Sequence, residues 1–261
     1  MFKLFDRKSR SARTDNSLFN KSVGLFKHRL MGGRCLACLA IAQDNIALCS
    51  GCEQSLALNR EPCVQCAEPF TAKPNFEHQA ICASCQADQP AFSRTYAPYL
   101  YAYPLDRLIS RFKDDGQMIY GQLLSQLLAE RLRDNFSELE FQRPDQVMAV
   151  PIHITRRFSR GFNPAALLAD ALSHQLSCHF NPKLCVKTKV TEKQQVLNRE
   201  QRQQNLHDSF QLTQSVEGQR IAVVDDVMTT GATARVIAQL LRDNGAAEVY
   251  IWALARTPLT P

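Results

Sequence analysis

The segment from Ile221 to Thr233, IAVVDDVMTTGAT, constrains the fold more than any other part of the 261-residue sequence. Its first four residues are apolar and predict a short buried strand, with Asp225 and Asp226 at the strand's C-terminal end. A small, hydroxyl-rich loop follows and leads into a predicted helix. Because open parallel sheets bind ligands beyond the carboxyl ends of their strands, the segment predicts a binding site at that edge.

The loop in this segment has the residues that a phosphate needs. It comprises Thr229, Thr230, Gly231, Ala232 and Thr233. Gly231 allows close backbone approach, the hydroxyls donate hydrogen bonds, and the helix start adds N–H groups with a partial positive charge. The adjacent carboxylates are acceptors only and suit vicinal hydroxyls, so the segment predicts a ribose 5-phosphate site. The alternative is an ordinary strand followed by an Asp- and Thr-capped helix, which has no need of two repelling carboxylates.

Eight of the ten cysteines form four CxxC pairs: Cys35/Cys38, Cys49/Cys52, Cys63/Cys66 and Cys82/Cys85. Four such pairs predict two tetrahedral four-thiolate sites, for which zinc is the expected metal. Pairing neighbours in sequence closes the shorter loops, although a crossed arrangement also satisfies the spacing. Disulfides or an iron–sulfur cluster are the alternatives. Cys178 and Cys185 lack ligand spacing and are predicted to be small core residues.

Charge divides the chain into parts. Residues 1–34 hold nine Lys or Arg against two Asp, whereas residues 35–90 hold two basic against six acidic residues. The acidic cysteine segment favours a structural or protein-docking role over a grip on nucleic-acid backbone. We expect a basic N-terminal arm (1–30), a two-zinc cysteine module (31–90) and an α/β domain (91–261). The arm is predicted to be either a disordered tail or a contact for nucleic acid, an acidic partner or a membrane surface.

The start of the chain has no apolar segment of the kind found in secretory signals, and no stretch approaches the roughly 18 apolar residues of a membrane span. These features predict a cytoplasmic protein without a transmembrane segment.

Residues 91–261 show the alternating pattern of one α/β domain. The predicted strands are 96–103, 147–150, 184–187, 209–212, 220–224 and 248–255. The predicted helices begin at Pro104, span 117–133, begin at Pro164 behind an Asn163 cap, and span 233–243.

A second group of charged residues follows the strand at 147–150, in PIHITRRFSRGFNP. Its arginines, Arg156, Arg157 and Arg160, flank a predicted turn that contains Gly161. Paired guanidinium donors suit phosphate, so the segment predicts an anion site at the same sheet edge, with a solvated basic loop as the alternative. Phe158 and Phe162 are predicted either to stack on bases or to be core residues.

These motifs resemble two known patterns. The segment 221–233 resembles the phosphoribosyl diphosphate (PRPP) signature of type I phosphoribosyltransferases. RRFSRGFN resembles the RRxxRGFNQ segment of the ComF (GntX-like) family, with Pro164 where Gln is usual, and the CxxC pairs match that family's double zinc ribbon. A family stretch also matches at Thr191, Gln194, Leu197, Arg202, Asn205 and Phe210, in the loop that closes over PRPP in related enzymes.

The resemblance implies a fold and a set of site residues. The fold is α/β, with a type I phosphoribosyltransferase-like parallel sheet flanked by helices and a small N-terminal double zinc-ribbon module that holds two structural Zn²⁺ ions. Asp225 and Asp226 take the catalytic, ribose-binding role, and residues 229–233 bind the 5-phosphate of PRPP, which arrives with Mg²⁺. Arg156, Arg157, Arg160 and Gly161 bind the pyrophosphate.

The resemblance also implies a biological role. ComF-like proteins are associated with natural transformation, which makes single-stranded DNA and other DNA-uptake proteins expected partners. Phosphoribosyl transfer is the implied activity, and no sequence feature selects an acceptor. The alternatives are a single-stranded DNA-binding factor and a PRPP sensor, each without turnover.

Overall fold

The computed structural model describes residues 33–42, 47–70, 80–138, 143–188 and 209–259. The strands are β1 (Arg94–Tyr96), β2 (Tyr99–Leu100), β3 (Gln146–Ala149), β4 (Cys185–Lys187), β5 (Phe210–Leu212), β6 (Arg220–Met228) and β7 (Glu248–Arg256). The helices are α1 (Ser50–Gln54), α2 (Ala83–Ala87), α3 (Leu105–Lys113), α4 (Met118–Glu138), α5 (Ile154–Arg160), α6 (Pro164–Leu176) and α7 (Ala232–Asp243). The predicted arm (1–30) and residues 189–208 lie outside the described residues.

The centre of the molecule is a parallel sheet with the strand order β1–β7–β6–β3, in which β2 also pairs with β7. The long central strands β6 and β7 are buried on both faces along most of their length. Near-continuous apolar runs of this kind are typical of parallel strands covered by helices on both sides. The predicted sheet flanked by helices is therefore confirmed, and β4 and β5 form a separate antiparallel pair.

Helices cover the two faces of the sheet unequally. Leucines of α3, α4 and α6 share one apolar cluster with Val224, Trp252 and Leu254. Residues of α7 share the other cluster with Val223 and Ile251. Alternate residues of each strand point to opposite faces, so β6 and β7 supply both cores. Among the described residues, no helix combines the length and apolar character that a membrane crossing requires.

Most predicted elements of the α/β domain are present, and two differ. The N–H of Ala165 donates to Asn163 Oδ1 at 3.1 Å, so Asn163 caps α6 as expected. The predicted strand 96–103 is instead two short strands, because Pro98 lacks the N–H that a continuous strand needs. Strand β6 continues to Met228, since β7 pairs with it to that point. The acidic pair therefore lies inside the strand and not after it.

The cysteine module packs around the β1–β2 edge of the sheet. Leu100 N donates to Ala57 O at 2.8 Å, and Thr95 N donates to Val64 O at 3.2 Å, so main-chain groups of the two parts pair directly. Cys35 belongs to the apolar cluster of α3 and α4, whereas Cys63 belongs to the cluster of α7. The module thus contributes to both cores.

Candidate functional site

A cleft of about 350 Å³ lies at the carboxyl edge of β3 and β6. Its lining includes five of the predicted site residues: Arg156, Arg160, Asp225, Asp226 and Thr233. The fold therefore brings the two predicted anion-binding segments and the acidic pair to one place. Arg157, Gly161 and residues 229–232 are not part of the lining. Phe210, which belongs to the matched family stretch, also lines the cleft, and the lining residues that were not predicted as site residues include Lys113, His153, Thr155 and Lys187.

The acidic pair is held by the backbone of β6. The N–H of Asp226 donates to Asp225 Oδ1, and the N–H of Val227 donates to Asp226 Oδ1, each at 2.8 Å. Asp226 is only 8% exposed, and its Oδ2 lies 2.5 Å from the ammonium of Lys113 at the end of α3. These bonds fix one oxygen of each carboxylate, and both residues line the cleft.

Burial and repulsion act on this pair. Desolvation, followed by the neighbouring Asp226 carboxylate, raises the pKa of Asp225 well above its usual range, and the charge of Lys113 opposes the rise. Two carboxylates in a partly dry site therefore gain from any ligand that brings hydroxyl donors or positive charge. The pair is suited to bind vicinal hydroxyls or a cation.

The threonine loop has the geometry that anion binding requires. Gly231 is the N-cap of α7 and has a φ of 76°, a left-handed conformation that favours glycine. A Cβ at this position would lie 2.7 Å from Met228 Cε, so the end of that methionine side chain would have to move. Thr229 and Thr230 are exposed, and the 12-residue helix α7 directs its first N–H groups toward the loop. The loop offers several donors to an anion.

The arginine segment is a helix where the sequence predicted a turn. Helix α5 is capped at its start by His153, whose Nδ1 accepts a hydrogen bond from Thr155 N at 3.3 Å. The helix ends at Gly161, which has a φ of 83°. The prediction was wrong because seven mostly polar residues carry no apolar periodicity. The helix places Arg156 and Arg160, four residues apart, on the cleft side of one surface.

Lys187 on β4 adds to the positive charge of the cleft. Burial, followed by the charge of Arg156, lowers the pKa of Lys187. Its ammonium lies 5.4 Å from the centre of the Phe210 ring. Cations from α3, α5 and β4 therefore line the same cleft as the acidic pair, which suits the cleft to a ligand with both hydroxyl and phosphate groups.

The two phenylalanines of the arginine segment have different environments. Phe162 packs on Phe112, with ring centres 5.5 Å apart, and lies against the apolar cluster to which Phe112 belongs. Phe158 is 81% exposed on α5. Only the latter presents a free aromatic face beside the arginines.

Eight cysteines form two clusters, and each cluster combines two CxxC pairs that are neighbours in the sequence. Cys35, Cys38, Cys49 and Cys52 make the first cluster, and Cys63, Cys66, Cys82 and Cys85 make the second. Within each cluster all four Sγ atoms lie within 4.8 Å of one another. The crossed arrangement of the CxxC pairs is therefore not the one adopted.

The sulfur distances fit a tetrahedral metal site. Sγ of Cys38 lies 3.7 Å from Sγ of Cys49, and Sγ of Cys66 lies 3.6 Å from Sγ of Cys82. Zinc–thiolate bonds of about 2.3 Å in tetrahedral geometry place the sulfurs roughly 3.8 Å apart. A disulfide needs about 2.05 Å, so these cysteines are not disulfide-bonded. The eight thiols are suited to hold two structural zinc ions.

Cys178 and Cys185 stand outside both clusters. Burial raises the pKa of the Cys185 thiol to about 12, and burial also raises that of Cys178. Both behave as small apolar groups, as the sequence predicts.

Comparison with known proteins gives matches to both parts of the chain. Residues 27–90 match the Double zinc ribbon domain family, and residues 159–260 match the Phosphoribosyl transferase domain family. Fold and matches together define a phosphoribosyltransferase-type α/β domain that carries a double zinc ribbon.

The full-length relatives narrow this class. DNA utilization protein YhgH of Escherichia coli is 34% identical over 86% of this chain and 97% of its own length. Competence protein F of Haemophilus influenzae is 32% identical over 85% of this chain and 96% of its own length. The chain belongs to the ComF family. Among solved structures, a glutamine PRPP amidotransferase from B. subtilis matches 51% of this chain and 26% of its own, at 21% identity and a TM-score of 0.36.

Proposed function

We propose that the chain binds Mg-PRPP in the cleft as a phosphoribosyltransferase-family protein and acts in natural transformation, in the handling of imported single-stranded DNA. The observation that carries the proposal is the convergence of Asp225 and Asp226 with Arg156 and Arg160 in one cleft, which Thr233 at the end of the threonine loop also lines. The names of the relatives, a competence protein and a DNA utilization protein, support the biological part.

Each part of PRPP has a matching group of residues. Asp225 and Asp226 accept hydrogen bonds from the ribose 2- and 3-hydroxyls, because carboxylate oxygens are acceptors and both residues line the cleft. The N–H and hydroxyl groups of residues 229–233 donate to the 5-phosphate. Arg156 and Arg160 donate to the pyrophosphate. Mg²⁺, arriving with PRPP, neutralises further charge on the phosphates, and the oxygen donors at the site suit this ion.

Transfer in such a site is mainly a matter of positioning. The bond from the anomeric carbon to the pyrophosphate breaks as the lone pair of an acceptor nucleophile forms the new bond, and the leaving electrons go to the pyrophosphate. Arg156 and Arg160 stabilise the negative charge that develops there, while the carboxylates stabilise the positive character of the ribose. The side chains select no particular acceptor, so the acceptor is not part of the proposal.

A second candidate function is single-stranded DNA binding without turnover. It is favoured by Phe158, which is exposed on the same short helix as Arg156 and Arg157. An exposed aromatic ring beside guanidinium groups stacks on a base while the cations contact backbone phosphates. The two candidates differ in salt dependence, because many phosphate contacts release many counterions, whereas a pocket for one Mg-PRPP releases few.

Calorimetric titration with Mg-PRPP tests the proposal. The wild type is compared with Asp225→Asn/Asp226→Asn and with a control, Asp106→Asn/Asp243→Asn, that removes the same two charges away from the cleft. We expect binding by the wild type and the control and none by the cleft variant. Equal binding by all three places the ligand elsewhere. No binding by the wild type, with steeply salt-dependent binding of an oligodeoxythymidine, establishes the second candidate instead.

A further inference from the structure

Arg256, the last residue of β7, is 1% exposed although it carries a full charge. Its Nε donates to the carbonyl of Cys66 at 3.1 Å, and Nη2 donates to the carboxylate of Glu68 at 2.5 Å. Nη1 donates to the carbonyl of Met228 at 3.1 Å and also to the carbonyl of Thr229. One guanidinium group therefore joins the second cysteine cluster to the chain that enters the threonine loop.

The partner charge for this arginine comes from the cysteine module. Glu68 follows the cluster residue Cys66 by two positions, and its side chain is 13% exposed. Its other oxygen accepts from Leu259 N at 2.7 Å, which fixes the carboxylate in place. Since the backbone at Cys66 is set by the four-thiolate cluster, the position of Glu68 depends on that cluster being formed.

The other side of the contact determines how the loop begins. Met228 and Thr229 stand three and two residues before the left-handed Gly231, and Thr257 N donates to Met228 O at 3.0 Å. Both carbonyls are thus held by Arg256 or by Thr257, which follows β7, while the side chains of Thr229 and Thr230 are exposed. The loop has its anchor in Arg256.

We infer that Arg256 is a positioning residue that couples the second cysteine cluster to the threonine loop, so that its pairing with Glu68 determines whether the loop is ordered for an anion. Its consequence for ligand binding rests on the proposed function, whereas the ordering of the loop does not. A buried ion pair that only adds global stability would instead affect all parts of the chain alike.

Amide hydrogen exchange of the metal-loaded full chain tests the coupling without a ligand. Glu68→Gln removes the partner charge and keeps the shape of the side chain. The control is Asp88→Asn, because Asp88 of the same module pairs with Arg235 of α7 at 3.3 Å but does not contact the loop entrance. We expect exchange in a peptide covering 228–234 to be at least roughly tenfold faster in Glu68→Gln, with β7 unchanged and the control like the wild type.

Uniform acceleration throughout Glu68→Gln, or loop exchange equal to that of the wild type, would overturn the inference. If Glu68→Gln does not fold, Arg256→Lys replaces it, since lysine keeps the charge but cannot bridge both carbonyls and the carboxylate. The same two outcomes then apply.

A ligand experiment follows, with ribose 5-phosphate and inorganic pyrophosphate titrated separately. We expect Glu68→Gln to weaken ribose 5-phosphate binding roughly 5- to 150-fold and to change pyrophosphate binding by less than about twofold. Equal losses for both ligands contradict the coupling. If the wild type binds neither ligand, the proposed function fails, and the exchange rates alone still decide the inference.

Discussion

The ammonium of Lys113 lies 2.5 Å from Oδ2 of Asp226, although the two residues come from opposite halves of the chain. The contact places one cation against the acidic pair, and its charge counteracts the raised pKa of Asp225. Lys113 is therefore a group at this site that favours the charged form of Asp225, against burial and the neighbouring carboxylate.

Replacing Lys113 by Met is expected to shift the pH dependence of Mg-PRPP binding. Without the lysine charge, the pKa of Asp225 rises further, so the acidic pair takes up a proton at higher pH and binding is lost at higher pH than in the wild type. Calorimetric affinities across a pH series measure the shift. Lys113→Arg keeps the charge and should keep the midpoint, and identical profiles for the Met variant and the wild type would count against this role.

Asp225→Asn is expected to stabilise the fold at neutral pH. The folded protein disfavours the charged form of Asp225, so its carboxylate costs stability above the raised pKa, and this cost disappears as the pH falls toward the ordinary value of 3.8. Asparagine keeps the acceptor for Asp226 N and removes the charge. We expect a gain of about 0.5–2 kcal/mol in the free energy of unfolding near neutral pH. Urea denaturation at several pH values measures this gain in the free energy of unfolding. A gain that became larger at acidic pH would contradict the prediction.

Gly231→Ala is expected to weaken phosphate binding. A left-handed non-glycine residue costs about 1–2 kcal/mol, and the added Cβ would also press on Met228. Gly218→Ala is the matched control, because Gly218 has a φ of 68° but has open space around it and lies away from the cleft. Both variants should lose stability, and only the first should lose affinity for ribose 5-phosphate. If Gly231→Ala and Gly218→Ala bound ribose 5-phosphate with equal affinity, the threonine loop would not be the phosphate-binding element.

Arg156→Met/Arg160→Met is expected to weaken pyrophosphate binding by about tenfold or more and to leave ribose 5-phosphate binding within about twofold, since charged hydrogen bonds contribute about 1.5–3 kcal/mol each. Arg157→Met serves as the comparison, because Arg157 lies on the same helix but does not line the cleft. Competition titrations with the two ligands measure the difference. A loss of pyrophosphate affinity in Arg157→Met as large as that in the double variant would mean that the helix surface, and not the cleft, binds the anion.

The sequence predicted the elements whose signals are local. Asn163 and Pro164 predict the start of α6, and the apolar run from Ile221 to Val224 predicts a buried strand. Each of these signals depends only on residues that are neighbours in the sequence. The CxxC spacing likewise predicted two four-thiolate sites, whereas the grouping of neighbouring pairs became clear only from the structure, because a crossed arrangement also satisfies the spacing. Helix α5 was not predicted because it is short and mostly polar.

The residues that the sequence did not reveal are those whose role depends on packing. Lys113 appears as an ordinary last-turn lysine, and it reaches the acidic pair only because α3 lies across the sheet from β6. From the sequence, Arg256 resembles a solvent-facing residue at a strand end, and only the structure shows that it pairs with Glu68 of the cysteine module. Neither contact has a sequence signature, because each joins segments that are distant along the chain.

The pairing of Leu100 N with Ala57 O and of Thr95 N with Val64 O has a consequence for the protein when metal is scarce. These contacts occupy main-chain groups along β1 and β2, at one edge of a sheet whose two faces are covered by helices. If the thiolate clusters come apart, unsatisfied N–H and C=O groups and apolar residues such as Leu56 become available to other chains. Metal starvation would then be felt first as self-association and proteolytic clearance, so the cellular abundance of this protein would follow zinc supply.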